Sequence, residues 1–225
     1  MRGYRTVIIM PDSVSVERRK LVEHYGARVL LIHDDGDIGK CIQKCLDTAL
    51  DMAEKNPNVF VPQQFENENN TLAHKNATAL EILEQVGGTI DGFCSGIGTG
   101  GTITGIGETL KAVNPAAEVW AVEPEHAAIL AGGTVGTHLQ MGIGDGIIPK
   151  ILNRDVFDHI HIVTDEDAIH TARQLAFLEG IMCGISSGTN VAAALKLAAK
   201  LGEGKRVVTV LPDTAERYFS TPLFE

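Results

Sequence analysis

Apolar and polar positions alternate along this chain in blocks, and the blocks predict a succession of strands and helices. Thr6-Val-Ile-Ile-Met10 is a continuous apolar run, the form of a strand buried on both faces. Pro11 and Asp12 end it, and Ser13 to Tyr25 then carries Val16, Leu21 and Val22 at helical spacing. Ser13 or Ser15 suits the N-cap, and Gly26 falls where a C′ glycine belongs. Ala27 to His33 reads as a strand, Gly39 to Lys55 as a helix and Val59-Phe-Val61 as a third short strand. Beyond Pro62 the segment 63–70 is rich in amides and reads as a solvated linker before a helix from His74 to Val86.

The second part repeats the alternation. Thr89 to Cys94 predicts a strand, Ile103 to Val113 a helix, and Glu118 to Val122 a strand. Residues 132–146 form an irregular glycine-rich stretch, long enough to suggest a functional loop. Ile160 to Val163 is a strand, and Asp165 to Glu179 a helix with Thr164 and Asp167 suited to its capping region. Met182 to Asn190 reads as a strand-to-helix turn, followed by a helix from Val191 to Leu201 and a strand from Arg206 to Leu211. Strands alternating with helices of this length predict βαβ units, parallel twisted sheets and an α/β fold.

Composition narrows the function. At 225 residues, 44% hydrophobic and 21% charged, the chain is that of a globular protein with a large core. No apolar run is long enough to span a membrane, and the opening residues lack a signal-peptide layout. A formal charge of −10 disfavours nucleic acid. Four cysteines without a Cys-x-x-Cys pair fit a reducing cytoplasm. His159 and His161 form a His-x-His without a third partner at ligand spacing, which disfavours a metal site.

The candidate chemistry centres on Ser95 to Gly107. Strand, glycine-rich turn and helix in that order turn backbone N–H groups toward an anion at a helix N-terminus. Two cofactor classes use such a cradle. Gly96, Gly98 and Gly101 spell Gly-x-Gly-x-x-Gly, and Glu123 closes the next strand, as a dinucleotide site requires. The extra Gly100 and the hydroxyls of Thr99 and Thr102 suit a compact phosphate better. A second turn, Gly184-Ile-Ser-Ser-Gly188, offers Ser186 and Ser187, which by themselves read as N-caps.

Six segments in one order resemble a family. Met10 to Leu21 (MPDSVSVERRKL), Gln64-Phe65-Glu66-Asn67, Gly98 to Thr102, Gly142-Ile143-Gly144, Gly184 to Gly188 and Asp213 to Ser220 are similar to the cysteine synthases, or O-acetylserine sulfhydrylases. These are fold-type II pyridoxal phosphate enzymes, related to cystathionine β-synthase and built like the tryptophan synthase β chain. The resemblance implies a small α/β domain, of which residues 1–62 are the remaining part, and a larger cofactor-binding α/β domain over 63–225. It implies β-replacement or β-elimination on O-acetylserine or cysteine, for cysteine biosynthesis or sulfide release, with pyridoxal 5′-phosphate as cofactor. Gly98, Thr99, Gly100, Gly101 and Thr102 resemble the phosphate loop, and Ser186 the hydroxyl that meets the pyridine nitrogen. Gln64 resembles a contact of the substrate carboxylate, and Gly142 a glycine of the active-site mouth.

Two departures qualify that expectation. Members of this family continue further at the N-terminus, through the segment that carries the Schiff-base lysine. Lys40, Lys44, Lys75 and Lys111 stand in other contexts on predicted helices, so the chain is expected to hold phosphate without running normal chemistry. Asp145 stands where the commonest members have alanine; it is either a solvated loop carboxylate or an auxiliary base, which would favour cysteine desulfhydration or a different nucleophile. Ala79-Leu80 replaces a Gly-Pro at a helix start. The resemblance further implies a homodimer and a possible serine acetyltransferase partner, and uncovered sheet edges point to association or poor solubility. A catalytically silent binding module of the same fold and a nicotinamide-binding Rossmann protein are the alternatives.

Overall fold

The computed structural model describes residues 2–225 and places the strands in two parallel sheets. The first pairs β1 (Val7–Pro11) with β2 (Arg28–Ile32), Val7 opposite Arg28. Helices α1 (Val16–His24) and α2 (Ile38–Lys55) accompany it, α2 capped by the Asp37 carboxylate, which accepts from the N–H of Lys40. Cys41 and Cys45 turn inward from α2 as packing thiols, and burial raises both above the ordinary thiol range, Cys45 to about 12.

The expected third strand at 59–61 does not form. That segment runs along the mouth of a cleft instead of beside β1 or β2, has no ladder partner, and leaves Phe60 82% exposed. The amide-rich stretch is likewise more ordered than a linker. Asn67 caps α3 (Glu68–Ala73), and a π-helical turn over 74–78 joins it to α4 (Ala79–Val86).

The second sheet has the order β5-β4-β3-β6, formed by β3 (Gly92–Gly96), β4 (Glu118–Pro124), β5 (His159–Val163) and β6 (Val207–Thr209). Its two central strands are almost wholly buried, as their largely apolar composition requires, with Ser95 and Glu123 as buried polar exceptions. Successive residues point to opposite faces. Cys94, Trp120 and Val122 pack with α6 (Asp165–Glu179) and α7 (Ile185–Leu201) on one side. Phe93, Val119 and Ala121 pack with α4 and α5 (Gly101–Val113) on the other. Of His159 and His161, the His-x-His of the sequence, His161 stacks on Trp120 and His159 meets the same ring tilted. Among the described residues no group of three or more His, Cys, Asp or Glu could hold a metal ion.

The two sheets are tied across the chain's length. From α1, the Ser15 hydroxyl donates to the Arg217 carbonyl instead of capping its own helix. Ser220 donates to Glu17. Arg18 reaches Asp213 at 2.9 Å and also the hydroxyl of Tyr218, which donates to the same carboxylate oxygen at 2.8 Å. The guanidinium lies 5.1 Å from the Tyr218 ring centre. One helix of the first unit is thereby clasped by the C-terminal turns of the second.

Candidate functional site

β3 ends at Gly96 and α5 begins at Gly101, so residues 97–100 make the whole turn between them. Gly100 carries a φ of +80°, a conformation only glycine takes without strain, and it starts the helix in place of a side-chain cap. The turn is tightly fitted. A Cβ on Gly98 would lie 2.7 Å from the Gly142 carbonyl oxygen, and one on Gly101 would overlap the Asn70 amide. Among the described residues, no protein acceptor takes the N–H of Gly98, Thr99, Gly100 or Thr102, and Gly101 makes only a 3.4 Å approach to the Thr99 hydroxyl oxygen. Four free donors at the positive end of a thirteen-residue helix form an anion cradle.

This cradle opens on a cleft of about 1500 Å³ between the two sheets. Gly98, Thr99, Gly100 and Thr102 line it, together with Gln64, His74, Gly142, Asp145 and Asn190. Ligand sites in open α/β sheets lie at such carboxyl ends of strands. Asn190 links the walls: its side-chain oxygen accepts from Gly96 N–H at 2.7 Å and its nitrogen donates to the Val210 carbonyl at 2.8 Å. His74 meets Thr102 at 3.2 Å and Thr78 at 3.1 Å, and burial lowers its pKa, keeping the ring neutral.

Asp145 is part-buried at the cleft wall and makes no hydrogen bond or ion pair among the described residues. Loss of hydration with nothing to replace it pushes its carboxyl up to about 6. A carboxyl of that kind exchanges protons near neutral pH. Gly142, with φ +95°, carries the carbonyl against which Gly98 packs.

Ser186 and Ser187 are not N-caps. Gly184 is the N-cap residue of α7, and both serines lie buried in its first turn. A side chain at 184 would collide with Asp213 and Tyr218, which is why glycine starts this helix. Ser186 stands four residues before Asn190, hence on the face of α7 that Asn190 presents to the cleft, but it is not itself a lining residue. Among the described residues, the buried Ser187 hydroxyl oxygen has no hydrogen-bond partner.

Glu123, the acid of the dinucleotide reading, is withdrawn from the cleft. Its two carboxylate oxygens accept from the N–H groups of Leu130 and Ala131 at 2.9 and 3.0 Å, so it organises the following loop and cannot hold a ribose. Two contributors escaped the sequence pattern: Asn70, which bridges two loops, and Asn190, which appeared only as the end of a turn. A buried amide in the second turn of the helix that follows Gly184 was the available signal.

A parallel α/β architecture with a phosphate-sized cradle at a helix N-terminus, facing a cleft with a free carboxyl, defines a protein that handles a phosphorylated cofactor or substrate. Residues 1–213 match the family of pyridoxal-phosphate dependent enzymes, and the chain belongs to that family. A cysteine synthase of Staphylococcus aureus is 44% identical over 224 residues, covering 99% of this chain and 71% of the relative. Among solved structures, O-ureido-L-serine synthase superposes with a TM-score of 0.91 at 41% identity, over 99% of this chain and 69% of its own. A hydrogen sulfide-producing enzyme from Fusobacterium nucleatum gives 0.90 at 36% identity, over 99% and 67%.

Proposed function

We propose that this chain holds pyridoxal 5′-phosphate and an amino acid in a cysteine synthase-like site, for β-replacement or β-elimination on O-acetylserine or cysteine. The observation that carries the reading is the set of four unpaired N–H groups at 98, 99, 100 and 102, beside two threonine hydroxyls, in a turn too tight for side chains at 98 and 101. That donor set, without an acceptor among the backbone groups it presents, fits a phosphate dianion. When bound, the cofactor supplies an electron sink for negative charge at the substrate α-carbon.

The chain's own residues divide the rest of the work. Gly98, Thr99, Gly100, Gly101 and Thr102 grip the phosphate, and Ser186, buried just behind the lining on the face of α7 that carries Asn190, is the neutral hydroxyl read as facing the pyridine nitrogen in place of an acid. Gln64 contacts the substrate carboxylate from the exposed loop at the cleft mouth, beside Gly142. Asp145 takes or returns a proton near pH 6 and directs the site toward sulfide release. The basic residues lining the cleft, among those described, are Arg5, Arg18, His74 and His138, with no lysine. Covalent attachment of the cofactor needs such an amine, so we expect binding with little turnover from these 225 residues.

Residues 1–62 and 63–225, each carrying one of the two sheets, are read as the small and large domains. Exposed Phe219 and Phe224 pair where α6 meets the C-terminal turns, and with exposed Phe177, Leu178 and Met182 at and beyond the end of α6 they support a homodimer. The open cleft suits the tail of a serine acetyltransferase, the occupant that the silent-module alternative requires. No helix among the described residues is long and apolar enough to cross a membrane, and four buried free cysteines support a cytoplasmic setting.

The test is titration of the purified chain with pyridoxal 5′-phosphate, followed by borohydride reduction and peptide mapping. Saturable binding without a lysine adduct is expected. A lysine adduct with turnover of cysteine would overturn the low-turnover expectation, and absence of binding would remove the cofactor reading altogether.

A further inference from the structure

Asn70 sits outside the cleft yet holds two of its walls. Its side-chain nitrogen donates to the Gln64 carbonyl at 2.9 Å and to the Thr99 hydroxyl oxygen at 3.0 Å. The carbonyl can only accept, so the amide orientation is fixed by its partner. The side-chain oxygen rests against Gly101, at the place a Cβ would need.

The consequence falls on Thr99. Its hydroxyl oxygen takes the Asn70 hydrogen and faces the Gly101 N–H at 3.4 Å. A hydroxyl has two lone pairs and one hydrogen. With one lone pair taken by Asn70 and the other facing the Gly101 N–H, the oxygen is occupied as an acceptor, and among the described residues the hydroxyl hydrogen has no protein acceptor. Thr99 lines the cleft, so that hydrogen is available to a ligand that accepts. At the other end, Gln64 follows Gln63, the one non-glycine residue of positive φ among those described, at +53°. A loop in that conformation needs an external hold.

We propose that Asn70 is a positioning residue: by filling one acceptor site of Thr99, beside the Gly101 N–H at the other, it leaves that hydroxyl to donate to phosphate, and through the Gln64 carbonyl it couples phosphate binding to the order of the substrate loop. The inference rests on the phosphate reading of residues 98–102.

Isothermal titration with inorganic phosphate, pyridoxal 5′-phosphate and unphosphorylated pyridoxal tests it on the full chain. Asn70→Ala is expected to weaken both phosphate-bearing probes about fivefold to tenfold, the worth of roughly one hydrogen bond, and to leave pyridoxal unchanged. Asn70→Asp is nearly isosteric, but its carboxylate would accept the Thr99 hydrogen and withdraw it from the cleft. It should bind phosphate more weakly than Asn70→Ala. In a Thr99→Ala background the effect of Asn70→Ala on inorganic phosphate should vanish. Hydrogen exchange of residues 60–67 in the parent should slow when phosphate binds, and in Asn70→Ala it should not.

Additive losses in the double variant, or an Asn70→Asp chain that binds phosphate as well as Asn70→Ala, would overturn the role of Asn70. Should Asn70→Ala fail to fold, the Asn70→Asp comparison with the parent decides, and equal phosphate affinity overturns the proposal. A parent chain that binds neither phosphate probe would overturn the phosphate reading itself, and this inference with it.

Discussion

Replacing Arg18 by alanine should loosen the hold of the C-terminal turns on the first unit. The side chains of Arg18 and Asp213 are 28% and 17% exposed, so this pair is neither a free surface bridge nor a fully buried one. A hydrogen bond to a charged group is worth about 1.5–3 kcal/mol when desolvated, and the partial exposure argues for the lower half of that range. The guanidinium over the Tyr218 ring adds about 0.5–1 kcal/mol. Against this, Tyr218 keeps its hydrogen bond to Asp213, so the carboxylate is not abandoned. The net cost is about 2–3 kcal/mol, a fall in melting temperature of roughly 4–12 °C for a chain of this size. Arg18→Lys keeps the charge but not the planar fork and should fall between parent and alanine variant. Thermal unfolding followed by circular dichroism reads the shift. An Arg18→Ala melting curve that overlays the parent would refute the reasoning, since nothing else on α1 matches this pair in strength.

Other perturbations separate the parts of the cleft. Asp145 has a folded-state pKa of about 6 against 3.8 for the free side chain, so between those values the folded chain keeps a proton that the unfolded chain has released. Its contribution to stability is therefore intact below about pH 4 and lost as pH rises through 6. Asp145→Asn should be more stable than the parent at pH 7, with the gap closing toward pH 4; a gap constant across urea titrations at both pH values contradicts this. Gly98→Ala places a methyl group against the Gly142 carbonyl, a backbone atom that cannot step aside. Loss of pyridoxal 5′-phosphate affinity by tenfold or more is expected, about 1.4 kcal/mol or above. Titration of Gly98→Ala beside the parent checks it, and equal affinities would place the phosphate elsewhere.

The two central strands of the larger sheet, β3 and β4, were legible because they are buried on both faces and so appear as largely apolar runs between turn residues. The glycine turn was legible because its geometry permits few residue types. Val59-Phe60-Val61 has the composition of a strand but pairs with neither β1 nor β2, and propensity without pairing does not make a sheet. Ser186 and Ser187 were placed before the helix because serine favours caps, whereas the fit of Gly184 against Asp213 starts α7 earlier. Arg18 and Asp213 stand 195 positions apart, and Asn70 and Thr99 stand 29 apart. Pairings of that kind arise from chain topology and leave no local periodicity to detect.

The four cysteines, each buried, have a practical consequence. Burial raises the pKa of all four, Cys94 and Cys45 to about 12, so the reactive thiolate is scarce in the folded chain. Cys94 lies in the central sheet, Cys41 and Cys45 in α2, and Cys183 beside the C-terminal turns. Alkylation at any one of them therefore records the opening of its own layer. The molecule carries its own footprinting labels, one set for each unit and one at the clasp between them, and the order in which they react under mild denaturant gives the order in which the layers part.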